Sequence, residues 1–264
     1  MTTKLLQHEA ETGVHVLTFN RPAAHNALDL EMMFALREAI LRLGEEPELR
    51  AVILTGAGGA SFCSGGDLQE LRTRTSEADA LEMITLMGDS LLALEELPVP
   101  VIAAINGYAL GGGSEVALAC DLRIVDEKVR MGMVQARMGV TPGWGGGQRL
   151  LRTVGYTRAL EILLRGQPMH APQLRELGLV NEVVEEGRAL EAALGFARRI
   201  ARTAPEVVRG IKALLQAGLR QPYEEALQSE RAIFPPLWAG PAHLEAVEDF
   251  FRQQAQKTKD SGAD

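Results

Sequence analysis

The sequence predicts an α/β protein built from stacked units of strand, glycine turn and helix. Three observations predict it. The buried-strand runs "AVILTG" at 51–56 and "PVPVIAAING" at 98–107 lie about 50 residues apart, and their continuous apolar character fits strands covered on both faces. Each is followed by a glycine-rich turn and then by helical spacing, which suits short connections between α/β units. From Ala159 onward the glycine turns stop and amphipathic helices take over. A chain of 264 residues with 46% hydrophobic content can bury a large core. The expected division is a core of residues 1–200 and a C-terminal helical region of residues 201–264.

Taken in order, "VHVLTFN" (14–20) alternates in the manner of a strand, and "RPAAHNALD" follows as a loop ending at Asp29, a good N-cap. Leu30, Met33, Phe34, Ala35, Ile40 and Leu41 then recur at helical spacing, with Gly44 as the stop. After "AVILTG" the stretch "GAGGASFCSGGDLQEL" turns towards a short helix, and a longer helix is expected between Glu77 and Leu97. The next unit repeats the plan, with "YALGGGS" as the turn, "EVALAC" as a helix and "DLRIVDE" as a returning strand. "RALEILLRG" reads as a helix, "APQLRELGLVNEVV" as a short helix and strand, and "ALEAALGFARRIARTAP" as a helix. "PEVVRGIKALLQAGL", "PYEEALQSERAIF" and "PAHLEAVEDFFRQQAQ" continue the helical pattern, and the polar tail "KTKDSGAD" is expected to fray. Leu244, Val247, Phe250 and Phe251 give the last helix an apolar face without local cover, a candidate subunit contact.

Charge and composition exclude several classes. Thirty-five acidic against 27 basic residues leave a net charge of -8, which repels a nucleic-acid backbone in the absence of a basic block. The start, "MTTKLLQHEAETG", lacks the apolar core of a secretory leader, and no 18-residue apolar run follows. A cytoplasmic location without membrane insertion is therefore expected. Cys63 and Cys120 lie in apolar company without CxxC spacing, and the five histidines are scattered, so neither a disulfide nor a metal site is expected.

The chemistry concentrates in the two glycine turns, "SFCSGGD" (61–67) and "ALGGGSE" (109–115). Backbone without side chains lets N–H groups approach a ligand, and a helix N-terminus adds partial positive charge. Two such turns facing each other would form an oxyanion hole with two donors. Neither continues as a P-loop, and "GGSEV" lacks the last glycine of a GxSxG nucleophile turn, so Ser114 is not expected to be a nucleophile. Glu115, directly after the glycines and before an apolar run, is the candidate acid.

"RPAAHNAL", "SFCSGGDLQEL", "PVIAAINGYALGGGSEVALACDLRI" and "GVTPGWGGGQRL" resemble, in order and spacing, the crotonase or enoyl-CoA hydratase/isomerase superfamily. The resemblance runs from about Val14 to Phe250. It implies a crotonase-like spiral of ββα units with a C-terminal helical trimerisation region, hence a homotrimer or a dimer of trimers. It also implies an acyl-CoA thioester whose carbonyl oxygen becomes an enolate held by two backbone N–H groups. No cofactor is implied, coenzyme A being part of the substrate. By the same resemblance the oxyanion donors fall on Ser64 and Gly112, and coenzyme A contacts on Ala24, His25, Gly65, Gly66, Asp67 and Leu68.

Hydratases of this family use two glutamates. The first matches Glu115, but the second position falls on Gln135 in "MGMVQARMGV". An amide hydrogen-bonds water but has no useful basicity at neutral pH, so a two-acid hydration loses one of its groups. "RMGVTPGWGGGQRL" and "SERAIFPPLWAGPAHLEAV" are most similar to the ethylmalonyl-CoA decarboxylase branch, whereas the methylmalonyl-CoA decarboxylase branch has polar groups where Gly66 and Gly143 stand here. Decarboxylation of a 2-alkylmalonyl-CoA needs an oxyanion hole, an apolar pocket and one proton donor. Glu115, its pKa raised by apolar surroundings, is the expected donor or the holder of the donating water, and Trp144 is expected to line the acyl pocket. The alternatives are an enoyl-CoA hydratase with Glu115 as sole acid/base, and a silent or RNA-binding protein of the same fold.

Overall fold

The computed structural model describes residues 3–260, and the chain divides into two units after Ile200. In the first unit the ββα plan takes a definite form. β3 (Ala51–Gly56), β5 (Val101–Ile105) and β7 (Leu122–Asp126) enter a six-stranded sheet, and the strand that follows each enters a four-stranded one: β4 (Ser61–Cys63), β6 (Tyr108–Leu110) and β8 (Arg130–Gly132). Helices close each unit: α2 (Leu68–Leu71) and α3 (Glu77–Glu96) after β4, α4 (Gly112–Ala119) after β6, and α5 (Gly146–Val154) and α6 (Tyr156–Arg165) after β8.

The larger sheet begins with β1 (Leu5–Glu11) antiparallel to β2 (Val14–Phe19). It continues in parallel through β3, β5 and β7 to β10 (Glu182–Val184). The smaller sheet runs β4, β6, β8 in parallel and ends on β9 (Met169–His170), antiparallel to β8.

Period-two alternation explains why the larger sheet's strands read as unbroken apolar runs. Leu17, Phe19, Val52, Leu54, Val101, Ala103 and Ile105 face the main core, together with Met33, Leu36 and Ile40 of α1 (Leu30–Gly44). Val16, Ile53, Ile102, Ala104 and Ile124 face the other way, against Ala189, Ala193 and Ala197 of α8 (Ala189–Ala201). Alanine every fourth residue gives α8 a flat stripe that lets the helix lie close to the strands. Asp126 fixes the start of that helix by accepting from the N–H groups of Gly187 and Ala189 at 2.9 and 2.8 Å.

Asp29 caps α1 as expected, its carboxylate accepting from Met32 N–H at 2.9 Å. The buried face of α1 is rotated from the expected one, however. Met32, Met33, Leu36, Ala39, Ile40 and Leu43 are buried, while Phe34 and Leu41 are about half exposed. Spacing alone could not choose between adjacent apolar stripes on a helix this rich in leucine and methionine.

The second unit holds α9 (Pro205–Arg220), α10 (Tyr223–Trp238) and α11 (Pro241–Asp260). α10 runs past Phe234, where the sequence pattern stops, and carries Pro235 and Pro236 into its last turn. α11 likewise continues to Asp260, into the tail expected to fray from Lys257, and residues 261–264 lie outside the described residues. Leu244, Phe250 and Phe251 are exposed on it. Among the described residues no helix is long and apolar enough to cross a membrane.

Candidate functional site

The site lies at one end of the smaller sheet. β4, β6 and β8 are parallel neighbours, so their C-terminal ends emerge side by side, the usual ligand-facing edge of a parallel sheet. The segment after β4 is Ser64 to Asp67, that after β6 is Gly111 to Glu115, and that after β8 reaches Gln135. Three motifs far apart in sequence are thus brought together by strand order. Ser114 secures the arrangement. Its hydroxyl lies 2.7 Å from the Ala109 carbonyl and 2.9 Å from that of Gly132, and accepts from Gly132 N–H at 3.1 Å. That bonding leaves it a staple between β6 and β8, in keeping with the expectation that it is no nucleophile.

The two glycine turns touch. Gly65 adopts a φ of +98°, and a methyl group there would lie 3.0 Å from the Gly112 nitrogen, so only glycine serves. The turn is held from outside by Leu28, which donates to the Gly65 carbonyl at 2.8 Å and accepts from Asp67 N–H at 2.9 Å. In this parallel bridge Gly66 is the paired residue, so its own N–H and C=O point away from Leu28.

The donor expected at Ser64 needs correction. Ser64 N–H is already donated to the His25 carbonyl at 3.1 Å, whereas among the described residues no acceptor in the chain engages Gly66 N–H or Gly112 N–H. The geometry therefore offers Gly66, with Gly112, as the donor pair. The sequence could not show which amides of this turn are engaged, because the bridge to Leu28 joins segments almost 40 residues apart.

Glu115 is 2% exposed, near the start of α4. Its immediate surroundings are not apolar. Oε2 accepts from Trp144 N–H and Gly146 N–H, both at 2.8 Å, and Oε1 accepts from Gln135 Nε2 at 2.9 Å and, at the longer distance of 3.4 Å, from Gly143 N–H. All four partners are donors, which is the setting of a carboxylate: a proton on either oxygen would have to face an N–H. The expectation of apolar neighbours around this carboxyl is thereby corrected. Glu115 organises the 143–146 turn instead, and fixes Gln135.

Trp144 is buried, with 4% exposure, and lies between the turns. A methyl on Gly112 would be 2.2 Å from its Cζ3, and one on Gly66 3.8 Å from its Cζ2. Its Nε1 donates to Met83 Sδ on α3 at 3.1 Å, and its carbonyl accepts from Arg149 Nη1 at 2.9 Å. Arg149 in turn pairs with Glu95 at 2.8 Å. Met83, Glu95 and Arg149 were not singled out from the sequence. Arg149 stands in the quoted "GWGGGQRL", but nothing local to it points to Glu95 or to the Trp144 carbonyl.

The remaining residues expected to contact coenzyme A lie on the 3-10 turn before Ala27 and at the start of α2. His25 is exposed, with a left-handed φ of 52°, and its Nδ1 lies 3.0 Å from Ser61 Oγ. Ala24 belongs to the preceding 3-10 turn, and Leu68 is 63% exposed at the start of α2. Asp67 caps α2 and pairs with Arg21 at 2.8 Å, and the Arg21 guanidinium holds its carboxyl below the ordinary carboxylate value. A depressed folded value adds stability above the unfolded value, and that stability is lost as pH falls through the folded one. Asp67→Asn is therefore expected to lose about 1 kcal/mol at pH 7. The gap to the wild type should narrow in melts taken below the ordinary carboxylate value of 3.8 and close only below the depressed folded value. Cys63, wholly buried behind the turn, has its thiol pushed up to about 12 by desolvation, which leaves it without thiolate character.

Comparison with known proteins places these features in context. A family model described as enoyl-CoA hydratase/isomerase matches residues 9–258. An ethylmalonyl-CoA decarboxylase of Danio rerio is 36% identical over 247 residues, 92% of this chain and 82% of the relative. A short-chain-enoyl-CoA hydratase of Clostridium acetobutylicum is also 36% identical, over 249 residues, 93% of this chain and 94% of the relative. Among solved structures, an enoyl-CoA hydratase from Bacillus anthracis superposes with a TM-score of 0.90 at 35% identity, covering 95% of this chain and 97% of that one. Decarboxylase and hydratase relatives stand equally near, so the choice between them falls to the residues.

Proposed function

This chain belongs to the enoyl-CoA hydratase/isomerase family, and on that premise we propose that it decarboxylates a 2-alkylmalonyl-CoA such as ethylmalonyl- or methylmalonyl-CoA. The observation that carries the reading is the pairing of one carboxylate, Glu115, with the amide of Gln135. Hydration requires water to lose a proton to a base as it attacks. Here the amide has no such basicity, and the oxygens of Glu115 are engaged by four N–H groups. Decarboxylation requires no base.

In this mechanism the thioester oxygen sits between Gly66 N–H and Gly112 N–H. Breaking the bond from the 2-carbon to the carboxylate sends its electron pair into the thioester, and the charge collects on that oxygen as carbon dioxide leaves. Donors fixed in advance act most strongly on that charge, each contributing roughly 10²- to 10³-fold. The buried indole of Trp144 walls the site on the side of both turns, which supports an apolar setting for the departing carboxylate. Self-association as a homotrimer or dimer of trimers belongs to the same reading, supported by the exposed apolar face of α11.

A second reading, an enoyl-CoA hydratase using Glu115 alone, draws support from the equally similar Clostridium relative. Incubation with ethylmalonyl-, methylmalonyl- and crotonyl-CoA separates the two. The expected result is butyryl- and propionyl-CoA from the malonyl esters and little turnover of crotonyl-CoA, with crotonyl-CoA hydration rising in Gln135→Glu. Fast hydration by the wild type without any decarboxylation would overturn the decarboxylase reading.

A further inference from the structure

We propose that Gln135 is the catalytic residue that holds, through its Oε1, the water whose proton goes to the enolate carbon, and that Glu115 is the positioning residue that aims it. The proposal rests on the decarboxylase reading and supplies the proton donor that the bonding of Glu115 denies to Glu115 itself.

The orientation of the amide follows from chemistry. A carboxylate only accepts, so the side of Gln135 facing Glu115 must be the NH₂, as found at 2.9 Å. The carbonyl oxygen is then turned to the other side. That oxygen is buried and has no hydrogen-bond donor among the described residues. A buried acceptor of this kind is costly unless something donates to it. The donor must be a small neutral O–H or N–H group. A 2-alkylmalonyl thioester offers neither at its 2-carbon, and the nearest N–H of the pantetheine arm lies beyond the sulfur and two methylenes, on the far side of the carbonyl. Water is the group that fits.

The same water explains why an amide serves here. A water beside an amide is a poor nucleophile, because nothing takes its proton. Towards a thioester enolate carbon, a stronger base than hydroxide, it needs only to be held in place as an acid. One O–H donates to Gln135 Oε1 and the other points at the carbon. The enolate's electron pair forms the new C–H bond and the O–H pair stays with oxygen. The resulting hydroxide combines with the carbon dioxide just released to give bicarbonate, so substrate and one water become the saturated acyl-CoA and bicarbonate. Gly143 N–H, only weakly engaged at 3.4 Å from the same Glu115 oxygen that Gln135 contacts, is available to stabilise the developing hydroxide.

The test is decarboxylation of ethylmalonyl-CoA in D₂O by the wild type, Gln135→Met and Gln135→Asn, following kcat, KM, melting temperature and the configuration of deuterium at C2 of the butyryl-CoA. The wild type should place deuterium in one configuration. Gln135→Met, which fills the space with a thioether too weak an acceptor to hold the water, should lower kcat by about 10²-fold, leave KM within about twofold, and place deuterium in both configurations. Gln135→Asn, which withdraws the carbonyl by one methylene, carries the same expectation, so a folding failure in one variant leaves the other to decide. Wild-type kcat with a single configuration in a folded variant overturns the role of Gln135 while leaving the decarboxylase standing. Absence of butyryl-CoA from the wild type overturns both.

Discussion

Glu115→Gln is expected to lose both activity and stability, by about 10²-fold or more in kcat/KM and about 2–4 kcal/mol in unfolding free energy. The substitution keeps shape and removes charge, and it brings an NH₂ group into a ring made only of donors. With its nitrogen towards Trp144 and Gly146, two buried N–H groups lose their acceptor; with its nitrogen towards Gln135, the Gln135 amide must turn over to accept from it, Gly143 N–H loses its acceptor, and Gln135 Oε1 is withdrawn from the water. The 143–146 turn must shift to relieve this, and it carries Trp144, whose ring lies against Gly112. A residue acting only as proton donor would behave differently, losing chemistry while the fold kept its stability. Urea unfolding alongside kinetics distinguishes the two. Fluorescence in a Trp238→Phe background, where Trp144 is the remaining tryptophan, should report a changed indole environment in Glu115→Gln. Unchanged stability and emission, with activity alone reduced, would return Glu115 to the role of acid.

How much of this was legible in the sequence depends on what each feature rests on. Strands buried on both faces announce themselves: "AVILTG" coincides with β3, and "PVPVIAAING" contains β5. β6 falls in a stretch that reads as a turn and β8 carries no strand signal, because strands of three residues are too short to display a period. Their loss mattered, since the parallel order of β4, β6 and β8 is what gathers the glycine turns and Gln135 at one edge. β1 was missed for another reason: as an edge strand with polar "QHE" outward it lacks the apolar signature. At the site, residue types singled out Glu115 beside the glycine turns, and the resemblance to the family added Gly112, Gln135 and Trp144. They could not identify which amide of the first turn is engaged, since Ser64 and Gly66 differ only in bonds made to His25 and Leu28. Nor could they identify the surroundings of Glu115. An acid before "VALAC" looks surrounded by carbon in one dimension, whereas its oxygens meet N–H groups from residues 20 to 31 positions away.

Gly112→Ala is expected to reduce kcat/KM by about 10²- to 10³-fold, the scale of a lost oxyanion donor, although it deletes no hydrogen-bonding group. The added methyl would stand 2.2, 2.5 and 2.8 Å from Cζ3, Cη2 and Cε3 of Trp144. These contacts fall on ring atoms, and the ring has little freedom to retreat. Its backbone N–H is tied to Glu115, its carbonyl to Arg149 and its Nε1 to Met83. The strain therefore passes to the other partner, the start of α4, and turns Gly112 N–H away from the thioester oxygen. Removing the indole should remove the collision. Trp144→Ala alone is expected to cost about 3–5 kcal/mol of stability through the cavity it leaves, and to change the preferred acyl chain by enlarging the pocket. In Gly112→Ala/Trp144→Ala the two penalties should sum to less than their separate values by about 1–3 kcal/mol, and part of the kcat lost in Gly112→Ala should return. Strict additivity in both stability and kcat would mean that the indole does not constrain the oxyanion turn. A coupled pair would make Trp144 the part of the site that holds Gly112 in register with Gly66, and glycine at position 112 a requirement set by the tryptophan as much as by the substrate.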